Sequence, residues 1–223
     1  MALELDFAAV LSQWPILLKG VAWTLGLTAV AAVLGVMLGT ACAWVRTQGP
    51  GWSRPVVATY VELIRNTPFI VQLFFIFFGL PALGLRLSPE WSSVIAMVIN
   101  LGAYSAEIVR AGIQATPAGQ IEAALSLALT RLQTFLYVVL PPAFERIWPA
   151  LVSQIIIVML GSAVCGQIST EELSFAANLI QGRNFRAFEA FMVATGAYLL
   201  LSIATRSLLN WAGPRFLFGR RRG

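Results

Sequence analysis

The chain has no histidine, few charges, two cysteines and no phosphate-cradling loop, and each shortage excludes something. Without histidine there is no usual proton relay, metal ligand or triad base. Charged residues make up 11% of the 223 residues, whereas a soluble domain carries roughly a quarter. Cys42 and Cys165 both lie at edges of apolar runs and are expected near opposite membrane faces, which precludes a disulfide within the chain. No G-x-x-x-x-G-K-[ST] sequence is present, so the chain has no nucleotide-phosphate loop of its own. The segment before the first apolar run carries Glu4 and Asp6 instead of Lys or Arg, unlike a signal peptide.

Apolar sequence is abundant. Hydrophobic residues make up 58% and the mean hydropathy is +0.79, so lipid is the solvent for most of the chain. The net charge of +5 forms no basic face: Arg215, Arg220, Arg221 and Arg222 gather near the C-terminus and the rest stand singly at run ends. That distribution is topogenic and argues against a nucleic-acid partner.

Five apolar runs reach the ~20 residues that cross a bilayer, and they predict an all-α membrane protein in one domain, 1–223. The expected spans are 21–45, 56–80, 94–109, 147–166 and 187–211. With the N-terminus outside, Arg46, Arg54, Arg110, Arg131 and the terminal arginines face the cytosol. Glu4, Asp6, Glu90, Glu171, Glu172 and Glu189 then lie outside, opposed by Lys19, Arg86, Arg183 and Arg186. This places the N-terminus in the periplasm and the C-terminus in the cytosol.

The segment 113–141 between the third and fourth runs carries too many helix signals for a simple linker. Thr116-Pro117 predicts a cap followed by proline at the first helical position. Thr130 to Gln133 has the capping-box pattern and starts a second short helix, with a turn between them near Ala128 and Leu129. Outside the membrane, Ser169 to Glu172 is a second capping-box pattern, predicting a helix over 173–180 ended by Gly182. Its surface suits either a lid or an extracytoplasmic partner. Gly35 and Gly39 are spaced for close helix approach.

Polar groups inside spans need a reason. Glu62 with Arg65, and Glu107 with Arg110, are three apart and predict two structural ion pairs. Gln72, Asn100, Tyr104, Ser153 and Gln154 are uncharged and suit either a substrate path or interhelical hydrogen bonds.

Glu122-Ala123-Ala124, then Ala128, Val138 and Leu140-Pro141, resembles the EAA loop of ABC importer permeases: EAA, three residues, Gly, nine residues, Ile, one residue, Leu-Pro. Alanine replaces the glycine and valine the isoleucine. In a left-handed conformation alanine costs on the order of 1 kcal/mol more than glycine. Thr24-Leu25, the run from Val61 to Pro68, the run from Phe74 to Pro81, and Asn100 to Glu107 with Arg110 to Ile113 are similar to the polar amino acid permeases. Where that subfamily has a Lys-Asp-Thr-Ser-Leu segment, this chain has Gly161-Ser162-Ala163-Val164-Cys165.

The resemblance implies the type I ABC importer permease fold and an inner-membrane transport subunit that performs no chemistry itself. It implies two ATPase partners, which hold ATP and magnesium, and a periplasmic amino acid binding protein. Coupling falls to Gly119, Gln120, Glu122, Ala123, Ala124, Leu125, Ala128, Leu129 and Pro141. The altered Ala128 and the missing Lys-Asp pair favour pairing with a second, non-identical permease over a homodimer. An ion-coupled secondary transporter is the alternative, and it calls for a lone mid-membrane carboxylate. An intramembrane enzyme finds no base here.

Overall fold

The computed structural model describes residues 5–217, and every regular element in them is helical. Glu4 and Arg220 to Arg222, which bear on orientation, lie outside the described residues. After a short turn α1 (Ala8–Leu11), α2 (Trp14–Gln48) runs 35 residues, starting a full two turns before the expected Val21. It stops at Gly49, whose backbone is extended because Pro50 follows it.

The second expected span is two helices. Helix α3 (Ser53–Arg65) and the segment Phe69–Leu83, which opens with α4 (Phe69–Phe74), meet at 109°. Four helices are long and apolar enough to cross a membrane, five when this bent pair is counted as one span. Pro68 has no N–H to continue α3 and pushes Thr67 out of helical geometry. The carbonyls freed by the break are taken up locally. Gln72 Nε2 donates to Ile64 O at 2.7 Å and to Thr67 O at 3.0 Å, and Thr67 Oγ1 donates to Leu63 O at 2.8 Å.

Helix α5 (Pro89–Gln114) is the axis of the bundle and is longer than the run 94–109 that predicted it. Of its most apolar stretch 61% is buried, against 17% for the last helix. Its partner is α2, and glycines on both sides set the separation. A Cβ on Gly39 would stand 2.5 Å from Ser105 Cβ, one on Gly35 2.9 Å from Leu101 Cβ, and one on Gly102 2.8 Å from Leu38 Cδ2. Contacts this short exist only because the Cβ atoms are missing, and close approach is what drives helix association in lipid. Leu27, Ala31, Leu73, Met97, Leu101 and Ile155 fill the space at this crossing.

A short helix α6 (Ala118–Ser126) follows, and then α7 (Arg131–Gln133) leads through a widened turn, Thr134–Val139, into α8 (Leu140–Gly161). Pro141 lies inside that continuous helical run instead of ahead of it; its ring clashes with the carbonyl four residues back, and the widened turn removes the conflict. Past α8 the chain tightens over Ser162–Ile168 and then forms α9 (Leu173–Asn184) and α10 (Ala187–Ala212).

The cap of α9 is Glu172, not Ser169. Its carboxylate accepts from Ser174 N at 2.9 Å, Phe175 N at 2.8 Å and the Tyr198 hydroxyl. Burial pushes the Glu172 carboxyl up, and the three donors pull it back. The helix runs on through Gly182 and ends at Asn184, with Phe185 in the left-handed region at φ 57°. Cys42 and Cys165 are both free and buried.

Candidate functional site

Two places carry the polar groups singled out above. One is the elbow 118–133; the other is a cavity at the break between α3 and α4.

The elbow is held by backbone bonds that its own sequence specifies. Leu129 N donates to Ala124 O at 3.2 Å and Ala128 N to Leu125 O at 3.0 Å, the paired bonds of a Schellman turn closing α6. That turn needs a left-handed residue just past the helix end, and Ala128 occupies it at φ 59°. The capping box forms in full: Thr130 Oγ1 accepts from Gln133 N at 3.3 Å, and Gln133 Oε1 from Thr130 N at 2.8 Å. The first start signal is displaced by one residue. Pro117 itself is the N-cap, while the Thr116 hydroxyl is buried without a partner among the described residues. Arg146 on α8 donates to Ala115 O at 3.0 Å, satisfying the last turn of α5 and pinning the elbow's entry.

Of the residues assigned to coupling, Gly119, Gln120, Glu122, Ala123, Leu125, Ala128 and Pro141 are exposed and Leu129 is half-buried. Ala124 is not available to a partner: it is 4% exposed and turned into the bundle. Glu122 and Ala123 therefore face outward on α6, together with Gly119, Gln120 and Leu125, and Ala124 serves to seat the helix on its own chain.

Replacing Ala128 with glycine is expected to stabilise the elbow by about 1 kcal/mol, less whatever glycine adds to the unfolded chain's freedom. Slower hydrogen exchange at the Leu129 amide measures it. Faster exchange would count against strain at this position.

The cavity measures about 340 Å³, within the roughly 300–1,000 Å³ of small-ligand sites. Thr67, Pro68 and Phe69 from the break line it, with Asn100 and Tyr104 from α5 and Gln154, Ile157, Val158 and Gly161 from α8. Asn100, Tyr104 and Gln154 are thus brought together on one cavity wall. Gln72 is behind them: its Nε2 holds the carbonyls of the break and its Oε1 accepts from Asn100 Nδ2 at 3.0 Å. Ser153 is on the exposed side of α8 and outside the lining. Sequence spacing missed Thr67, although Pro68 signalled a break at this point.

Only one of the two ion pairs forms. Glu107 accepts from Arg110 at 2.7 and 3.2 Å and also from Arg46 of α2. Arg65 turns away from Glu62 and points at Glu107, 3.9 Å off, with its guanidinium 5.5 Å from the centre of the Tyr104 ring. The Glu62 carboxylate accepts from Asn66 Nδ2 at 3.1 Å instead. Helical spacing permits the pair, but α5 offers Arg65 a carboxylate and an aromatic face together.

A bundle of four or five apolar helices around a cavity, with an elbow between two of them, is the architecture of a membrane transport subunit. The chain belongs to the family of binding-protein-dependent transport system inner membrane components, which it matches over residues 12–218. It is 34% identical to the glutamine transport system permease protein of Escherichia coli, over 93% of this chain and 96% of that one. To the L-cystine transport system permease protein of Bacillus subtilis it is 39% identical, over 78% of this chain and 74% of that one. A crystal structure of an amino acid ABC transporter with histidines superposes with a TM-score of 0.84 at 34% identity, covering 95% of this chain and 98% of that one. A methionine ABC transporter in an inward-facing conformation, at 22% identity and a TM-score of 0.68, shares the fold.

Proposed function

We propose that this chain is the membrane-spanning permease subunit of an ATP-driven, binding-protein-dependent amino acid importer, with its N-terminus outside and C-terminus in the cytosol. Family membership and the amino acid permeases among its relatives support the class. The observation that carries the coupling role is the elbow, where a Schellman turn and a capping box fix α6 with Glu122, its one charged residue, exposed beside the small Ala123. Two ATPase subunits, holding ATP and magnesium, dock there. Nucleotide closure pushes α6, and α8, continuous with α7 through the widened turn, carries the push to the cavity wall.

A second permease completes the path. Thr59, Glu62 and Asn66 are exposed along one side of α3. A carboxylate facing lipid is costly, so this side faces protein or a water-filled path. The partner is a different permease: Ala128 strains this elbow, and a partner with the regular loop and the Lys-Asp segment would supply what this chain lacks at Gly161 to Cys165.

Uptake into vesicles carrying the assembled complex tests the reading. It requires internal ATP and the binding protein and survives collapse of the ion gradients. The ion-coupled alternative has one point in its favour, the Glu62 carboxylate without an arginine partner among the described residues. That alternative predicts uptake that stops with the gradients and ignores ATP.

A further inference from the structure

An amino acid in the cavity brings a carboxylate and an ammonium group, and each needs a counterpart where water is scarce. Among the described residues no acidic one lines the cavity. The charged group beside it is Arg65, which ends α3 two residues before Thr67 and stacks on the Tyr104 ring that forms part of the wall. The neighbours of Arg65 neutralise it only in part. Glu107 is engaged by Arg46 and Arg110 and lies 3.9 Å from Arg65, and Glu62 is turned to Asn66. Three guanidiniums against one carboxylate leave this corner with two positive charges in excess. The Arg65 side chain is 37% exposed, so its N–H groups are open to an incoming anion. Deeper in, the acceptors are neutral. Asn100 spends its amide nitrogen on Gln72, leaving Oδ1 without a bond among the described residues, and the Gln154 amide is likewise uncommitted.

We infer that Arg65 receives the α-carboxylate of the transported amino acid at the cytosolic side of this cavity, and that the substrate's side chain carries no net positive charge. The inference deepens the importer reading and rests on it. A planar guanidinium held over an aromatic ring presents its paired N–H groups in the geometry a carboxylate accepts. The ammonium group is left to the amide oxygens of Asn100 and Gln154. A second cationic group on the substrate meets no carboxylate in the lining and is repelled by the same arginine corner.

The test is equilibrium binding to the purified complex of both permeases and the ATPases, without the binding protein. The probes are L-glutamine and L-glutamate, their α-carboxamides, and L-arginine. The unmodified complex is expected to hold an acid at least ~10-fold more tightly than its α-carboxamide, as a charge-assisted pair does. Arg65→Gln brings that ratio close to one by weakening the acid alone, and Arg65→Lys keeps part of it. A purely structural arginine lowers both ligands together, so an unchanged ratio overturns the assignment. L-arginine binding as tightly as L-glutamine overturns the charge limit. Gln154→Leu weakens acid and amide alike. If it changes neither, or if the unmodified complex retains no probe, the cavity is not the substrate path and the importer reading loses its site, separately from the role of Arg65.

Discussion

Reversing one charge, Glu122→Lys, is expected to reduce ATP-driven uptake to background while the protein inserts into the membrane in normal amounts. The side chain of Glu122 is exposed on α6 and takes part in no hydrogen bond or ion pair among the described residues. What neighbouring residues use is its backbone, whose carbonyl accepts from Ser126 Oγ at 2.9 Å. The elbow's shape rests on Ala124, Leu125, Leu129, Thr130 and Gln133, none of which is hydrogen-bonded to that carboxylate. The fold therefore tolerates lysine, and any loss falls on contact with a partner. Placing a cation where the partner meets an anion turns attraction into repulsion and leaves a charge unpaired in the interface, an effect of several kcal/mol. Uptake in vesicles, together with co-purification of the ATPase, reads the result. Normal uptake would remove Glu122 and α6 from the docking surface.

The second large effect falls on stability. Glu107→Ala removes the only carboxylate among the described residues that is paired with Arg46, Arg65 and Arg110, which come from α2, α3 and α5. The Glu107 side chain is 18% exposed, so water screens the three cations only in part. Breaking one side of a buried charge cluster costs about 3–5 kcal/mol, and partial exposure places this case at or below the lower end. The variant is expected to unfold at markedly lower temperature or denaturant concentration. Glu107→Gln, which keeps acceptor capacity but no charge, should fall between. Removing Arg46 as well, as Arg46→Met with Glu107→Ala, should recover part of the loss, because fewer guanidiniums are stranded. A Glu107→Ala protein as stable as the unmodified one would show that helix packing, led by the glycine contacts of α2 and α5, holds this end unaided.

Local bonds were the part of the structure most legible in the residues. The capping box at Thr130 and Gln133 is satisfied within four residues, so its pattern predicts its geometry. The same holds at Ala128, where a left-handed residue closes α6 as the motif position requires. The bounds of α10, Ala187–Ala212, match the apolar run 187–211, because that helix faces outward for most of its length and little else constrains its ends. The capping pattern at Ser169 failed for a related reason. Glu172, on the same stretch, has backbone donors and the Tyr198 hydroxyl converging on it, and a cap supported from another helix displaced one supported only locally.

The partner of Arg65 was not legible. Position three residues away on a helix says that Glu62 is near, but not that α5 presents Glu107 and Tyr104 at better angles. Nor does the sequence tell that Ala124 faces inward while Ala123 faces out, since both are small and adjacent. The cavity draws on the break before α4, on α5 and on α8, with Gln72 recruited to close the backbone break and Ser153 turned outward.

By composition and order of residues alone the chain was bound to be a helical membrane protein with a shaped elbow between two spans. Lipid leaves only internally bonded helices or closed barrels, unbroken apolar runs of about 20 residues select the helix, and turn and cap bonds are made between near neighbours. Tertiary structure alone decided which arginines share one carboxylate, which alanine a partner can reach, and which polar groups meet in a cavity. Those outcomes depend on helix rotation and separation, set here by missing Cβ atoms at Gly35, Gly39 and Gly102 and by a 109° break at Pro68.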